Sequence, residues 1–548
     1  MEMLPLISLV VAAVCIMRAI VLMIKNAGST SASSTRAGGA PLPPGPSTLP
    51  LIGSIHHLAT GELPHHAITR LGREHGPVMY LQMGQVGLVV VSSREAAREV
   101  MKVQDANFAH RPELAGPKVL LYGCADVAFS SGGPTWRRLR KVCVVKLLSA
   151  NRVRSFAPIR REETRRLLES IAGHCPGKAI DLRAMVEVFS SAIVSRTALS
   201  ETFEHRGSIL KKGLELASGF NLSDHFPSLS FLNVLMRHRL RRVHRQVDKL
   251  LEDIIAERMR LRQKKMKEKD TAEVMLDVLL DAMEHPDTDV PITHDNIKAV
   301  IMVWCLYPKK HEYGDGNTGI RIRGYGIRHF SKTVIRGYGG DMFAGGTETS
   351  SSTIEWALAE LMKNPKEMAK VQDEVRTKME AVTSWCDIGH LSYLRLVVKE
   401  TMRLHMPAPL LVPRVCKEQC RVGGYMIPAG SRVVINAWAM GRDPRYWEDA
   451  EAFRPGRFLG TSVDFKGGDF EFLPFGAGRR MCPGIEFGLA GVELCLAQLL
   501  FYFDWTLPGG IAPEDLDMSE TSVGALSVVR KEPLRLIPSI HAPLHLNY

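Results

Sequence analysis

The chain has 548 residues, of which 45% are hydrophobic and 23% charged; this is enough apolar content to bury a large core, and it excludes both a disordered chain and a small disulfide-held scaffold. Its formal net charge is +12, but the basic residues are spread through amphipathic segments with acids among them, and no nucleic-acid motif accompanies them, which speaks against nucleic acid and for solvated helix faces, anionic lipid or an acidic protein partner. The ten cysteines are scattered without the short paired spacings of a zinc site, which suits a reducing, cytosol-facing location better than secretion.

In chain order, Met3 to Ile24 comes first, 22 residues that are almost wholly apolar apart from Arg18. As a helix they reach ~33 Å, enough to cross a bilayer core. A cleaved signal peptide would carry its basic residues first and a shorter apolar run; here Glu2 precedes the segment while Lys25 and Arg36 follow it. Residues 1–25 therefore read as a retained membrane anchor that leaves the bulk of the chain in the cytosol. Residues 26–46 read as a tether, rich in Gly, Ser, Thr and Ala and then stiffened by Pro41-Leu-Pro-Pro-Gly-Pro46. No later composition break divides residues 47–548, which are expected to form a single large catalytic domain. Within it, Val78–Met83 and Gly87–Ser92 look like short strands. Helical spacing dominates thereafter, in Arg160–Ala172, Arg239–Lys267 and Ser351–Met379, so the fold class is mainly α with minor β.

The chemistry-bearing residues follow the same order. Trp136 and Arg140 stand four apart on a helix beginning near Thr135, with Arg137, Arg138, Lys141 and Lys146 on or near it. Residues 303–340 then break the pattern: these 38 residues hold eight glycines, seven Lys or Arg, two acids and the tetrapeptide Arg-Gly-Tyr-Gly twice, a composition of irregular loop rather than buried helix. Gly345-Gly-Thr-Glu-Thr-Ser350 has paired glycines and three hydroxyl residues, poor for helix stability; alone it reads as a turn or cap. Glu400 and Arg403 are opposite charges three apart on one helix. Arg414 closes Leu410–Arg414, and Arg457 lies in Phe453–Phe458.

The strongest pattern is Phe475-Gly-Ala-Gly-Arg-Arg-Met-Cys-Pro-Gly484, followed by an apolar helical run from Ile485 to Phe503. Gly478 lets the backbone bend close to the sulfur, Arg480 suits an acidic cofactor, Pro483 suits a first helical position, and Gly484 lets a flat ligand approach. Cys482 thus sits where a helix begins, and the positive end of the helix favours a thiolate, a soft ligand for iron.

In Phe475, Gly478, Arg480, Cys482 and Gly484 this segment resembles the haem-binding loop of the cytochrome P450 family. The resemblance spans about residues 41 to 540 and is nearest to plant microsomal members, through Pro43–Pro46, Phe108-Ala-His-Arg-Pro112 and Tyr502–Pro508; Gly219–Pro227 is similar to grass enzymes that oxidise diterpene-type hydrocarbons. It implies the cytochrome P450 fold behind an N-terminal transmembrane helix in the endoplasmic reticulum membrane, and haem b with Cys482 as axial thiolate and metal ligand. Trp136, Arg140 and Arg414 would reach the haem carboxylates, and Glu348 and Thr349 would deliver protons to bound dioxygen. Glu400, Arg403 and Arg457 would form a structural lock, with Gly456 standing where plant relatives usually carry Glu. Arg137, Arg138, Lys141 and Lys146 would dock NADPH-cytochrome P450 reductase. A lipophilic small-molecule substrate would lie among Leu121–Val127, Phe220, Leu222, Phe343, Ala344, Ala408–Val412, Ala525 and Leu526. The implied activity is hydroxylation of a plant specialised metabolite such as a terpenoid, with a flavonoid or phenylpropanoid hydroxylase as one alternative. The resemblance also implies that Ile297–Met302 runs directly into Asp341–Gly346 as one apolar helix, so residues 303–340 read as an insertion, and a haem-binding pseudoenzyme is the other alternative.

Overall fold

The computed structural model describes residues 40–174, 177–200, 221–265, 274–285, 290–305, 345–380, 388–523 and 527–543. The anchor, most of the tether and nearly all of the 303–340 segment lie outside these, as do Phe220, Phe343, Ala344, Ala525 and Leu526.

Val78–Met83 (β1) and Val86–Val91 (β2) form a hairpin in which Met83 pairs with Val86. The two-residue connection needs a positive φ, which Gly84 supplies at +65°. β2 pairs in parallel with a distant strand, Arg432–Ile435, which in turn pairs antiparallel with Arg414–Val415. In chain order these are β4 and β3, so the sheet runs β1-β2-β4-β3. It leaves Arg414 on a strand whose neighbours are all held from elsewhere in the chain.

The helices that frame the site are α1 (Pro64–His75), α2 (Pro134–Lys141), α3 (Leu182–Leu199), α4 (His294–Cys305), α5 (Glu348–Lys363), α6 (Ser392–Leu404) and α7 (Ile485–Tyr502). Every residue of α5 from Ser351 to Leu361 is buried, as expected of a helix surrounded by protein on all sides. α7 packs against α5, α6 and the helix Pro365–Glu380. Among the described residues α7 is the one helix long and apolar enough to cross a membrane, and its packing makes it a core helix. One apolar cluster joins α3, α5, α6 and α7; a second joins α4 to the helices Val234–Lys265 and Met275–Glu284. α4 and α5 both pack along α3. A separate hairpin, β5 (Glu520–Val523) and β6 (Ser527–Arg530), lies against α5.

The helical spacing over Ser351–Met379 resolves into two helices rather than one. α5 ends at Lys363 and the next helix starts at Pro365. Pro365 has no N–H to continue the ladder, and it pushes the preceding residue out of the helical region, seen at Asn364 with φ −121° and ψ 75°.

Candidate active site

Phe475–Gly484 is a tight loop ahead of α7. Gly478 has φ +69°, and a Cβ there would lie 2.1 Å from the Met101 carbonyl oxygen, so no other residue fits without moving backbone. The Cys482 N–H donates to the Phe475 carbonyl at 2.9 Å and closes the loop. Phe475 meets Phe465 edge-on at 5.4 Å. The Gly484 N–H donates to Cys482 Sγ at 3.4 Å. α7 begins only at Ile485, with Gly484 as its N-cap, so Pro483 stands ahead of the helix rather than at its first position.

Cys482 is free and solvent-accessible, yet burial raises its thiol pKa, while the Gly484 N–H and the positive charge of Arg140 pull the other way. Around the position of a Gly484 Cβ, Cys482 Sγ is the one contact within 4 Å among the described residues outside its chain neighbours, at 3.9 Å, so among these the approach over the loop is open.

The neighbourhood is rich in arginine. Arg480 lies 4.0 Å above the Trp136 ring and donates to the carbonyls of Ala109, Val127 and Ser130. Burial, then the nearby Arg414, push its pKa down to about 9. The Trp136 indole N–H is spent on the Val127 carbonyl at 3.0 Å. Arg414 is buried and reaches Asp105 at 3.4 Å and the Ala477 carbonyl at 3.1 Å. Arg111 is buried against the carbonyls of Ala128, Val412 and Pro413. Arg140, half-buried on α2, makes no hydrogen bond or ion pair with a described residue; burial lowers its pKa, and the titratable groups near it that favour its charged form are the thiols of Cys482 and Cys143. Against these four arginines stand two acids, Asp105 and Asp126, and burial pushes Asp126 up to about 6. Buried cations without matching acids are costly, so the cluster suits a ligand that brings carboxylates of its own.

On the same side, Glu400 of α6 accepts from Arg403 at 2.8 and 2.9 Å and from Arg457 at 2.9 Å. Glu400 and Arg403 are fully buried, and Arg403 also donates to the carbonyls of Gly441, Ala450 and Ala452. The expected three-residue lock is thus assembled in full, and a Cβ on Gly456 would meet open space.

Gly345–Thr347 form a turn, and Glu348 and Thr349 open α5, both half-buried. Thr349 Oγ1 donates to the Gly345 carbonyl at 2.8 Å, Ser350 Oγ to Gly346 at 3.1 Å and Thr353 Oγ1 to Thr349 at 2.8 Å. This end of α5 touches α7: a Cβ on Gly488 would lie 3.7 Å from Ser350 Oγ. The hydroxyl-rich turn and the cysteine loop are therefore brought to one region.

The family model described as Cytochrome P450 matches residues 43–305 and 322–536. Desmethyl-deoxy-podophyllotoxin synthase of Sinopodophyllum hexandrum is 43% identical over 507 residues, covering 91% of this chain and 92% of that protein. Premnaspirodiene oxygenase of Hyoscyamus muticus is 43% identical over 510 residues, covering 92% and 93%. The chain belongs to the cytochrome P450 family. A zebra fish cytochrome P450 solved with abiraterone shares the fold at a TM-score of 0.64 and 23% identity, over 87% of this chain and 100% of that one. As a cytochrome P450 the chain is a haem-thiolate monooxygenase whose iron takes a cysteine ligand. The residues present fit that group: a free, accessible sulfur, no bulk over Gly484 among the described residues, and arginine charge in excess of the nearby acids.

One expectation for this cytochrome P450 changes with the structure, and two residues join the site. Arg138 is buried and donates to the Ala282 carbonyl at 3.2 Å; one position along a helix is a rotation of ~100°, which turns it away from the face of Arg137 and Lys141. Of the proposed basic face, Arg137, Lys141 and Lys146 are exposed. Asp105 was not singled out by its sequence, yet it ties Arg414, the Arg479 side chain and the Arg479 N–H together beneath Gly478. Arg111, in the Phe108–Pro112 segment, stitches Ala128 to Val412 and Pro413. Of the residues expected around a substrate, Leu121 and Val127 are buried in the cluster that includes α4, and Leu411 takes a strained φ of +51°.

Proposed function

We propose that this cytochrome P450 hydroxylates a lipophilic small molecule, a plant specialised metabolite such as a terpenoid, using dioxygen and electrons from NADPH-cytochrome P450 reductase. The observation that carries this reading is the free, solvent-accessible Cys482 sulfur, which accepts from the Gly484 N–H at 3.4 Å and feels the positive charge of Arg140. Cys482 would hold the iron, while Arg140, Arg414 and Arg480, with Trp136 beneath Arg480, would hold the haem carboxylates. Haem bound this way supplies a thiolate-ligated iron that favours O–O cleavage. Thr349 holds its hydroxyl proton on the Gly345 carbonyl, and Thr349 and Glu348 would be the groups that pass protons inward. The names of similar proteins support the substrate class: premnaspirodiene oxygenase, and the salviol synthase of Salvia pomifera, which is 42% identical over 92% of this chain. Exposed Arg137, Lys141 and Lys146 suit an acidic flavoprotein, and the apolar residues 3–24 suit an anchor in the endoplasmic reticulum membrane.

A second reading has its own observation. α4 ends at Cys305 and α5 opens at Glu348, both along α3, and the family match skips residues 306–321. Residues 303–340 would then be an insertion into one long helix, placed just ahead of Thr349. A displacement of ~1 Å at a reacting group can cost ~100-fold in rate, which would leave a protein that binds haem without turnover. Expression of the full chain and of the 510-residue form (548 minus 38) with a reductase and a terpene panel tests both readings. NADPH-dependent product from the shorter form is expected; a thiolate-type spectrum from both forms with no product across the panel would overturn the substrate assignment.

A further inference from the structure

Away from the cysteine loop, two elements bring imidazoles onto a carboxylate carried by a third. Glu520 opens β5. His65 and His66 lie in the first turn of α1, and His405 caps the end of α6. His65 Nε2 is 2.9 Å and His66 Nε2 3.2 Å from the same oxygen, Glu520 Oε2. One ligand atom from each of these three residues falls within a sphere in which none is more than 4.8 Å from another.

His65 is 1% exposed and Glu520 is buried at its side chain, while the His66 side chain is 40% exposed and opens the group to solvent. His405 Nε2 is engaged with Glu360 Oε1 at 2.6 Å, and its ring stacks on Trp356 at 3.8 Å, so its orientation is fixed. Its Nδ1 is buried, has no hydrogen-bond partner, and stands 3.8 Å from Glu520 Oε1. A buried nitrogen directed at the cluster and left without a partner is a deficit that internal hydrogen bonding does not remove.

We propose that His65, His66 and Glu520 form a binding site for a divalent cation of the zinc class, with His405 Nδ1 as the nitrogen available to complete or orient it. The donor chemistry is two imidazoles and one carboxylate, a set that suits zinc, and an ion would take the place of the hydrogen bond that now joins His65 Nε2 to Glu520 Oε2 at 2.9 Å. An ion there would pin the start of β5 to α1, two elements joined at this point only by side chains from opposite ends of the chain.

The test is equilibrium dialysis of the haem-loaded full chain, stripped with chelator, against micromolar zinc chloride, with zinc per chain read by elemental analysis. His66→Ala is the main variant, because a half-exposed side chain can be removed without loss of the fold, and an unchanged carbon-monoxide spectrum is its control; Glu520→Gln is the second. We expect the wild-type chain to hold one more zinc ion than either variant, a ~10-fold or greater loss of affinity in His66→Ala, and a zinc-dependent rise in Tm confined to the wild type. Equal zinc uptake by wild type and His66→Ala, or no uptake by the wild type, overturns the site.

Discussion

Around Cys482 the backbone is fixed by groups drawn from far along the chain: Met101 and Asp105 crowd Gly478, Arg414 holds the Ala477 carbonyl, and Glu400 with Arg403 and Arg457 ties α6 to the segment before the loop. Around Thr349 the hydroxyls of Thr349, Ser350, Ser351 and Thr353 each return to a carbonyl three or four residues back, while Ser352 donates to the Val528 carbonyl at 3.3 Å. The first region is over-determined by long-range contacts, whereas the hydroxyls of the second are held mainly by their own helix. Substitutions near the sulfur should therefore damage the folded haem protein, and substitutions near Thr349 should damage only the chemistry.

Four variants sharpen that contrast, ordered by expected loss of folded haem protein. Gly478→Ala places a methyl group 2.1 Å from a carbonyl oxygen at a positive φ; we expect a destabilisation above ~3 kcal/mol and little or no haem protein recovered by absorbance per milligram. Glu400→Gln leaves the fully buried Arg403 without its counter-charge, which should cost about 3–5 kcal/mol in urea denaturation. Arg140→Gln should leave apo-protein stability nearly unchanged, because Arg140 has no hydrogen-bond or ion-pair partner among the described residues, while haem loss to an acceptor protein accelerates ~10-fold. Thr349→Ala should leave Tm and the haem spectrum unaltered and reduce product formed per NADPH by ~100-fold. A Thr349→Ala variant that lost haem, or a Gly478→Ala variant that kept it, would erase the distinction between the two regions.

What the sequence disclosed divides along the same line. The loop from Phe475 to Gly484 was legible because its glycines, arginine and cysteine are local and each has a steric or electrostatic reason to be there. β1 was legible from its apolar run, and β2 and the apolar helix α7 began and ended within one residue of the expected bounds. Asp105 was not legible: it is a single acid with no surrounding pattern, and it acts on Arg414 and Arg479 across 309 and 374 residues. Nor was the group around Glu520, whose partner His65 is 455 residues away. Arg138 was misplaced because a run of basic residues does not reveal which member turns inward; the Met275–Glu284 helix that receives it decides that. The division of Ser351–Met379 was available in Pro365, whose missing N–H outweighs continuous helical spacing.

The most direct measurement is the absorbance spectrum of the reduced, carbon-monoxide-treated protein, wild type against Cys482→Ala, alongside NADPH-dependent oxygenation. We expect a thiolate-type Soret band and turnover in the wild type, and loss of both in the variant. A variant that retains its pigment with an unchanged spectrum and still oxygenates substrate would contradict the assignment of Cys482 as the iron ligand.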